Sequence, residues 1–251
     1  MEKKGQVTIF IIVAIVIIVA GVLVYFFLPG IRSGLVSDEE NPPKFLQTCL
    51  EDRIEEVVQQ LSDHGGSMNP EHYIIYEGDN IEYLCYTEEY YEACVVQQPL
   101  LGNHISKEIE REIKENAESC FDEMEQKYQN DGYTVDLKRG DMNIELLPKR
   151  VIVNFENSLN LAKGGQTNSY ERFRVVLNNN LYELISIATS IIEWETRYGD
   201  AETTVYMTYY KDLKVEKKNQ IEGSTIYILT DRNNENKFQF ASRSMPLPPG
   251  Y

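Results

Sequence analysis

Between Val7 and Leu28 the chain runs for 22 residues without a charge, and Thr8 is the one clearly polar side chain in the run. No other feature constrains the fold as much. At 1.5 Å rise per residue this segment makes a helix about 33 Å long, enough to cross a hydrocarbon core of about 30 Å. Its Ile and Val are mediocre helix formers in water. In lipid the backbone must satisfy its own hydrogen bonds, and a helix does so within one segment. A secretory leader has a shorter apolar stretch, about 7–15 residues, closed by small residues. Here the run ends in Tyr25-Phe26-Phe27-Leu28-Pro29-Gly30, which predicts a retained transmembrane helix in contact with the bilayer through residues 7–28. Lys3 and Lys4 lie close to one end, while Arg32 and Lys44 lie farther from the other. With a tail of only six residues, the positive-inside rule then predicts a cytoplasmic N-terminus and an extracytoplasmic C-terminal domain at the cell membrane.

The full chain carries a net charge of −16, and Lys3, Lys4 and Glu2 make residues 1–31 net +1, so residues 32–251 carry −17. A domain of that charge repels nucleic acid and anionic headgroups. Four cysteines, Cys49, Cys85, Cys94 and Cys120, all follow the apolar run, and four cysteines allow three pairings. Cys49 lies among Leu46, Leu50, Ile54, Val57 and Leu61, and Cys120 continues the stripe of Ile105, Ile109, Ile113, Ala117 and Met124. Both therefore sit on apolar faces of helices, so a Cys49–Cys120 disulfide would staple two helices and Cys85–Cys94 would close a short loop. Zinc would need close C-x-x-C pairs or histidines at ligand spacing, and the sequence has neither. Two disulfides suit an oxidising exterior.

The pattern along the chain predicts an α+β fold: an N-terminal transmembrane helix, then an ectodomain of amphipathic helices and antiparallel β-meanders. The expected divisions are a cytoplasmic tail at 1–6, the span at 7–28, a Pro- and Gly-bearing linker at 29–43 and the domain at 44–251, with a sub-boundary near 130. Helical spacing appears at about 44–61, 106–128 and 178–198, the last including Trp194 in its apolar set. Residues 67–104 read as irregular. Period-two patterns mark strands at 133–137, 142–147, 150–162 and 169–177, then at 203–217, 224–231 and 237–244.

Nothing in the sequence points to catalysis. His64, His72 and His104 have no metal-ligand spacing and read as single solvent-exposed side chains. No G-x-S-x-G elbow is present, and acidic pairs such as Glu88-Glu89 or Glu193/Glu195 are ordinary in a chain this acidic. Gly164-Gly165 belongs to a hairpin, since no G-K-[ST] follows. The 139–141 RGD lies in a turn, and "DRNNEN" is turn chemistry without the spacing of a calcium loop. The reading is of a non-enzymatic protein with no catalytic, cofactor or metal residues, and with a structural or partner-binding role; the alternative of a membrane-tethered enzyme or ligand-binding protein calls for a deep pocket with convergent polar groups. Seventeen tyrosines, clustered at 90–91 and 206–210, suit contact with a protein partner or self-association, although most read as strand or core residues.

The opening Lys3-Lys4-Gly5-Gln6 resembles the class III signal of archaeal type IV pilin-like proteins. That resemblance implies processing after Gly5, a new terminus at Gln6, and assembly through the apolar helix. The family commonly has Glu at the fifth mature position, where this chain has Phe10. More broadly, "KKGQVTIFIIVAIVIIV" and "FLQTCLEDRIEEVVQQLSDHGG" resemble uncharacterised membrane-anchored proteins of small-genome archaea. That likeness implies the same architecture and cell-surface placement, and no activity.

Overall fold

A computed structural model describes residues 41–246. The expected span, the tail and the Gly5–Gln6 processing site lie outside the described residues, as does all but the end of the linker. Among the described residues, no helix is long and apolar enough to cross a membrane.

Helix α1 spans Pro42–Asp63, so the last linker prolines open the helix, where a missing N–H has no intrahelical partner to lose. It stops at Gly65 and Gly66, both at positive φ, and the Gly66 amide returns to Leu61 O at 2.8 Å. The expected stripe, Leu46 through Leu61, is fully buried. Residues 67–104 are not irregular. They hold strands β1 (Tyr73–Tyr76), β2 (Asp79–Tyr86) and β3 (Val95–Val96). Glu77 and Gly78 both have positive φ, the requirement of a two-residue hairpin turn. Strand β2 is buried on both faces from Ile81 to Cys85, which removes the alternation that makes a strand legible.

Helix α2 (Leu101–Asn130) starts five residues before the expected Ser106, because Gly102 and Asn103 weaken the helical signal of its first turn. Strands β4 (Thr134–Lys138), β5 (Met142–Leu147), β6 (Arg150–Lys163) and β7 (Gln166–Asn178) follow. Helix α3 (Leu181–Tyr198) ends on left-handed Gly199. The expected strand at 203–217 divides into a short helix α4 (Thr204–Tyr209) and strand β8 (Leu213–Asn219). Tertiary contact overrides the β-propensity of Val205 and Tyr206, since the Tyr206 hydroxyl is held 2.8 Å from Ser190 Oγ of α3. Strands β9 (Ser224–Asp231) and β10 (Lys237–Arg243) complete the chain's described elements.

One sheet has the order β1-β2-β10-β9-β8, with β3 also on β2. Its β2–β10 pair is parallel, so the expectation of purely antiparallel meanders fails there. These strands are distant in sequence, and the intervening chain serves as the long crossover that a parallel pair needs. In the second sheet β6 is central. Its two halves pair β5 and β4 along one side, and β7 pairs along the other. The ladder to β7 shifts register at a bulge at Glu156-Asn157, while Val151, Val153, Phe155, Asn157, Leu159 and Leu161 are buried at every second position along β6. The turn before β5 clasps this bulge, with the Gly140 amide donating to Asn157 Oδ1 at 2.9 Å.

Strand β7 has an open edge, a place where other chains can pair. Gln47 of α1 covers it at Val176, accepting from the backbone amide and donating to the carbonyl, both at 2.9 Å. One hydrophobic cluster joins α1, α2, α3 and strands of both sheets, with residues on either side of position 130. Phe121 of α2 meets Phe155 and Phe173 edge-on, at ring distances of 5.3 and 5.5 Å. The compact unit begins at Phe45.

The cysteines form two disulfides, Cys49–Cys120 and Cys85–Cys94, and no cysteine is free among the described residues. These are the two pairs expected from the helix stripes. Cys120 lies within its stripe, and Cys49 sits half-buried at the flank of its own.

Candidate functional site

Strand β7 ends at Asn178, and Asn178-Asn179-Asn180 cannot extend the apolar alternation and instead turn the chain into α3. The Asn179 side chain accepts the Leu181 N–H at 2.9 Å, one of the four amides that a helix start leaves without a partner. Opposite, Asn233, Asn234 and Asn236 form the β9–β10 turn, where Asp231 and Asn234 side chains accept amides two residues on. The two segments lock together through Asn180. Its Nδ2 donates to Asp231 Oδ2 at 2.7 Å, and its Oδ1 accepts from Asn236 Nδ2 at 2.7 Å and Asn234 Nδ2 at 3.4 Å.

This seam forms part of a cleft of about 1010 Å³ whose far wall is the α4–β8 connection. The walls are stapled by backbone bonds from Arg232 N to Asp212 O at 2.8 Å and from Asn179 N to Lys149 O at 3.2 Å. Leu184, Ile187 and Leu213 line the cleft but are almost wholly covered. Its exposed apolar surface belongs to tyrosines: Tyr209 is 80% exposed, Tyr210 57% and Tyr182 43%. Lys149 and Lys211 share the lining with Glu183, Asp212 and Asp231, so it is close to electrically balanced. The Glu183 carboxylate is already engaged by the Lys149 backbone amide at 3.0 and 3.2 Å.

Two buried polar clusters lie elsewhere. Ser67 Oγ donates to Glu82 Oε2 at 2.6 Å and stands 2.8 Å from His104 Nε2. In a hydrolytic triad the imidazole takes the serine proton and a carboxylate holds the far ring nitrogen. Here the carboxylate holds the serine itself, and Ser67 is buried. Burial pushes the Glu82 carboxyl up against the opposing pull of Ser67 and His104. The arrangement ties the α1–β1 loop to β2 and α2, and the Met68 amide adds a 3.0 Å bond to Glu108. His64 is likewise half-buried, 3.2 Å from Met68 O. The expectation of three solvent-exposed histidines therefore fails for His64 and His104, and His72 is exposed beside Tyr83 and Tyr86.

The second cluster centres on Glu195, which is 2% exposed. It accepts from the Tyr227 hydroxyl, from Ser242 Oγ at 3.0 Å and from the Ala201 amide at 3.1 Å. Burial outweighs these bonds and raises the carboxyl, while burial beside Glu195 raises the Tyr227 phenol far above its ordinary range and keeps it a donor. Burial also lowers Lys217, and Glu195 opposes that shift. Glu195 occupies the α3 stripe three and four residues beyond Ile192 and Ile191, whereas the expected stripe member Trp194 is 43% exposed. A single acid at a core position of a helical stripe is the signal that the sequence offers for it.

In the sequence, Tyr206–Tyr210 is a tyrosine cluster and "DRNNEN" reads as a turn. The fold brings the end of the first to one cleft with the second. Both disulfides lie outside the lining, and Arg139 of the RGD pairs with Asp122. Among the described residues no group of three or more metal-ligating side chains occurs.

These features define a disulfide-bonded α+β domain carrying a tyrosine-flanked, amide-lined cleft. Compared with protein-family models, curated proteins and solved structures, the chain has no match.

Proposed function

We propose that the chain is a single-pass membrane protein, anchored through residues 7–28 with its N-terminus in the cytoplasm. Its domain stands outside the cell membrane in a structural or partner-binding role, with no catalytic role assigned. The observation that carries this reading is the use of all four cysteines in two disulfides, bonds that persist in oxidising compartments. The uncharged run and its flanking lysines supply the anchor and its direction.

The test is protease treatment of intact cells that make the chain, followed by thiol counting on the protected and released material. The expected result is release of the domain from whole cells with no free thiol until reductant is added. A domain protected until the membrane is lysed would overturn the placement.

A second reading is favoured by Lys3-Lys4-Gly5-Gln6 alone: a type IV pilin-like subunit, cut after Gly5 and assembled through its N-terminal helix. Intact mass of the chain from its native membrane separates the two. A chain beginning at Gln6 supports the subunit, and one beginning at Met1 or Glu2 supports the permanent anchor. The resemblance to membrane-anchored proteins of small-genome archaea agrees with surface placement in either case.

A further inference from the structure

We propose that the cleft between the start of α3 and the α4–β8 connection binds a neutral oligosaccharide. In it, Tyr209 and Tyr210 stack on sugar ring faces, and the asparagines at its seam bond the hydroxyls. The inference rests on the extracytoplasmic reading above, since it places the cleft where cell-surface and environmental glycans occur.

A pyranose presents two chemistries at once. Its C–H faces are flat and apolar, and its hydroxyls each donate and accept. A receptor therefore needs exposed aromatic plates beside groups that do both. The primary amide of asparagine offers two donors and a carbonyl acceptor, and tyrosine offers a large rigid face with a polar tip. The cleft supplies both in one place. Asn178, Asn179, Asn180, Asn233 and Asn234 line it, and Tyr209 and Tyr210 are both exposed beside them. Asn180 is immobilised by Asp231, Asn234 and Asn236, whereas the side-chain amides of Asn178 and Asn233 have no bond within the chain among the described residues. Tyr210 is fixed at the backbone, its amide on Tyr206 O at 2.8 Å and its carbonyl accepting from Leu213 N at 3.0 Å. Ordering of this kind at Asn180 and along the Tyr210 backbone reduces the freedom lost there on binding.

Other ligand classes fit the same lining poorly. A nucleotide or phosphorylated ligand calls for an excess of cationic donors, and two lysines here stand against three carboxylates. An apolar ligand calls for exposed aliphatic surface, but Leu184, Ile187 and Leu213 are 2%, 9% and 5% exposed. A cation calls for convergent free carboxylates, yet Asp231 is committed to Asn180 and Asn233, and Glu183 to Lys149. The size, about 1010 Å³, exceeds what one hexose fills and suits a short chain of sugars.

The test is saturation-transfer NMR on the full chain in lipid nanodiscs, with cellohexaose, chitohexaose and mannohexaose as probes. Tyr209→Ala, Tyr210→Ala and Asn233→Ala are run alongside, and circular dichroism checks that each variant folds. The expected result is transfer to ring C–H protons of at least one probe, with affinity falling roughly tenfold for either tyrosine variant. No transfer to any of the three, or binding that survives both tyrosine substitutions, overturns the proposal. Thiol counting on the same sample separates this failure from that of the placement reading. Intact disulfides without saccharide binding sink the cleft proposal alone, whereas free thiols in material from native membrane sink the reading beneath it.

Discussion

Breaking the Cys49–Cys120 bond tests the link between sequence spacing, fold and compartment most directly. The two residues are 71 apart, against 9 for Cys85 and Cys94. Chain-entropy reasoning assigns the long loop about 15 cal/mol/K of lost unfolded-state entropy, or about 4.4 kcal/mol at 25 °C, and the short loop about 2.6 kcal/mol. The short loop lies inside the long one, so closing it shortens the effective outer loop and changes the larger figure by only about 0.1 kcal/mol. The perturbation is Cys49→Ala with Cys120→Ala, compared with Cys85→Ala with Cys94→Ala. Guanidinium unfolding of the full chain in detergent, followed by far-ultraviolet circular dichroism, reads the change. With an m value of roughly 4 kcal/mol/M, the first variant should lose about 1.1 M in midpoint and the second about 0.65 M. Equal losses, or a larger loss for the second variant, would refute the loop-length argument. A wild-type midpoint indifferent to reductant would refute the structural role of the bonds altogether.

Three further outcomes follow from single interactions. Gln47→Ala removes both 2.9 Å bonds to the β7 edge and should cost about 1–3 kcal/mol. Hydrogen exchange at the Val176 amide should quicken with it, and unchanged protection there would rule out the capping role. Glu195 has a carboxyl raised by burial, so its contribution is fully present below the ordinary unfolded value of about 4.3 and is lost as pH rises through the folded value. Glu195→Gln should therefore flatten the fall in stability above about pH 4, and parallel profiles for the two proteins would contradict the buried-acid argument. A Cβ on Gly140 would run into the Glu156 carbonyl of the β6 bulge, so Gly140→Ala should cost about 1–3 kcal/mol. Thermal melting should drop by roughly 3–10 °C, and an unchanged midpoint would show that the clasp yields freely.

The buried polar clusters explain why, among the described residues, a chain this acidic keeps Glu82, Glu195 and, on the Met68 amide, Glu108 inside. Glu195 sits among three donors that point at one place, and Glu82 sits against Ser67. Removing either carboxylate would strand buried donors, which costs more than the net value of the bonds themselves. The Glu195 cluster also reaches the short disulfide, since Ser242 Oγ lies 3.7 Å from Cys94 Sγ and Ser244 Oγ accepts the Cys94 amide at 3.0 Å.

Local periodicity carried what was readable in advance. The stripes Leu46–Leu61 and Ile105–Met124, and the alternation Val151–Leu161, are one-dimensional records of which face is buried, and the structure buries them. The cysteine pairs were legible because both helical cysteines already lay on or beside such stripes. Strand β2 and helix α4 were not legible. A strand buried on both faces has no alternation to read, and a six-residue helix is decided by the Tyr206–Ser190 contact rather than by propensity. The parallel β2–β10 pair and the cleft were likewise beyond local reading. Asn178–Asn180, Tyr209–Tyr210 and Asn233–Asn234 are each ordinary turn or surface residues in their own segments. They line one cleft only because two sheets and α3 share one core, and that long-range packing brings three distant turns to the same opening.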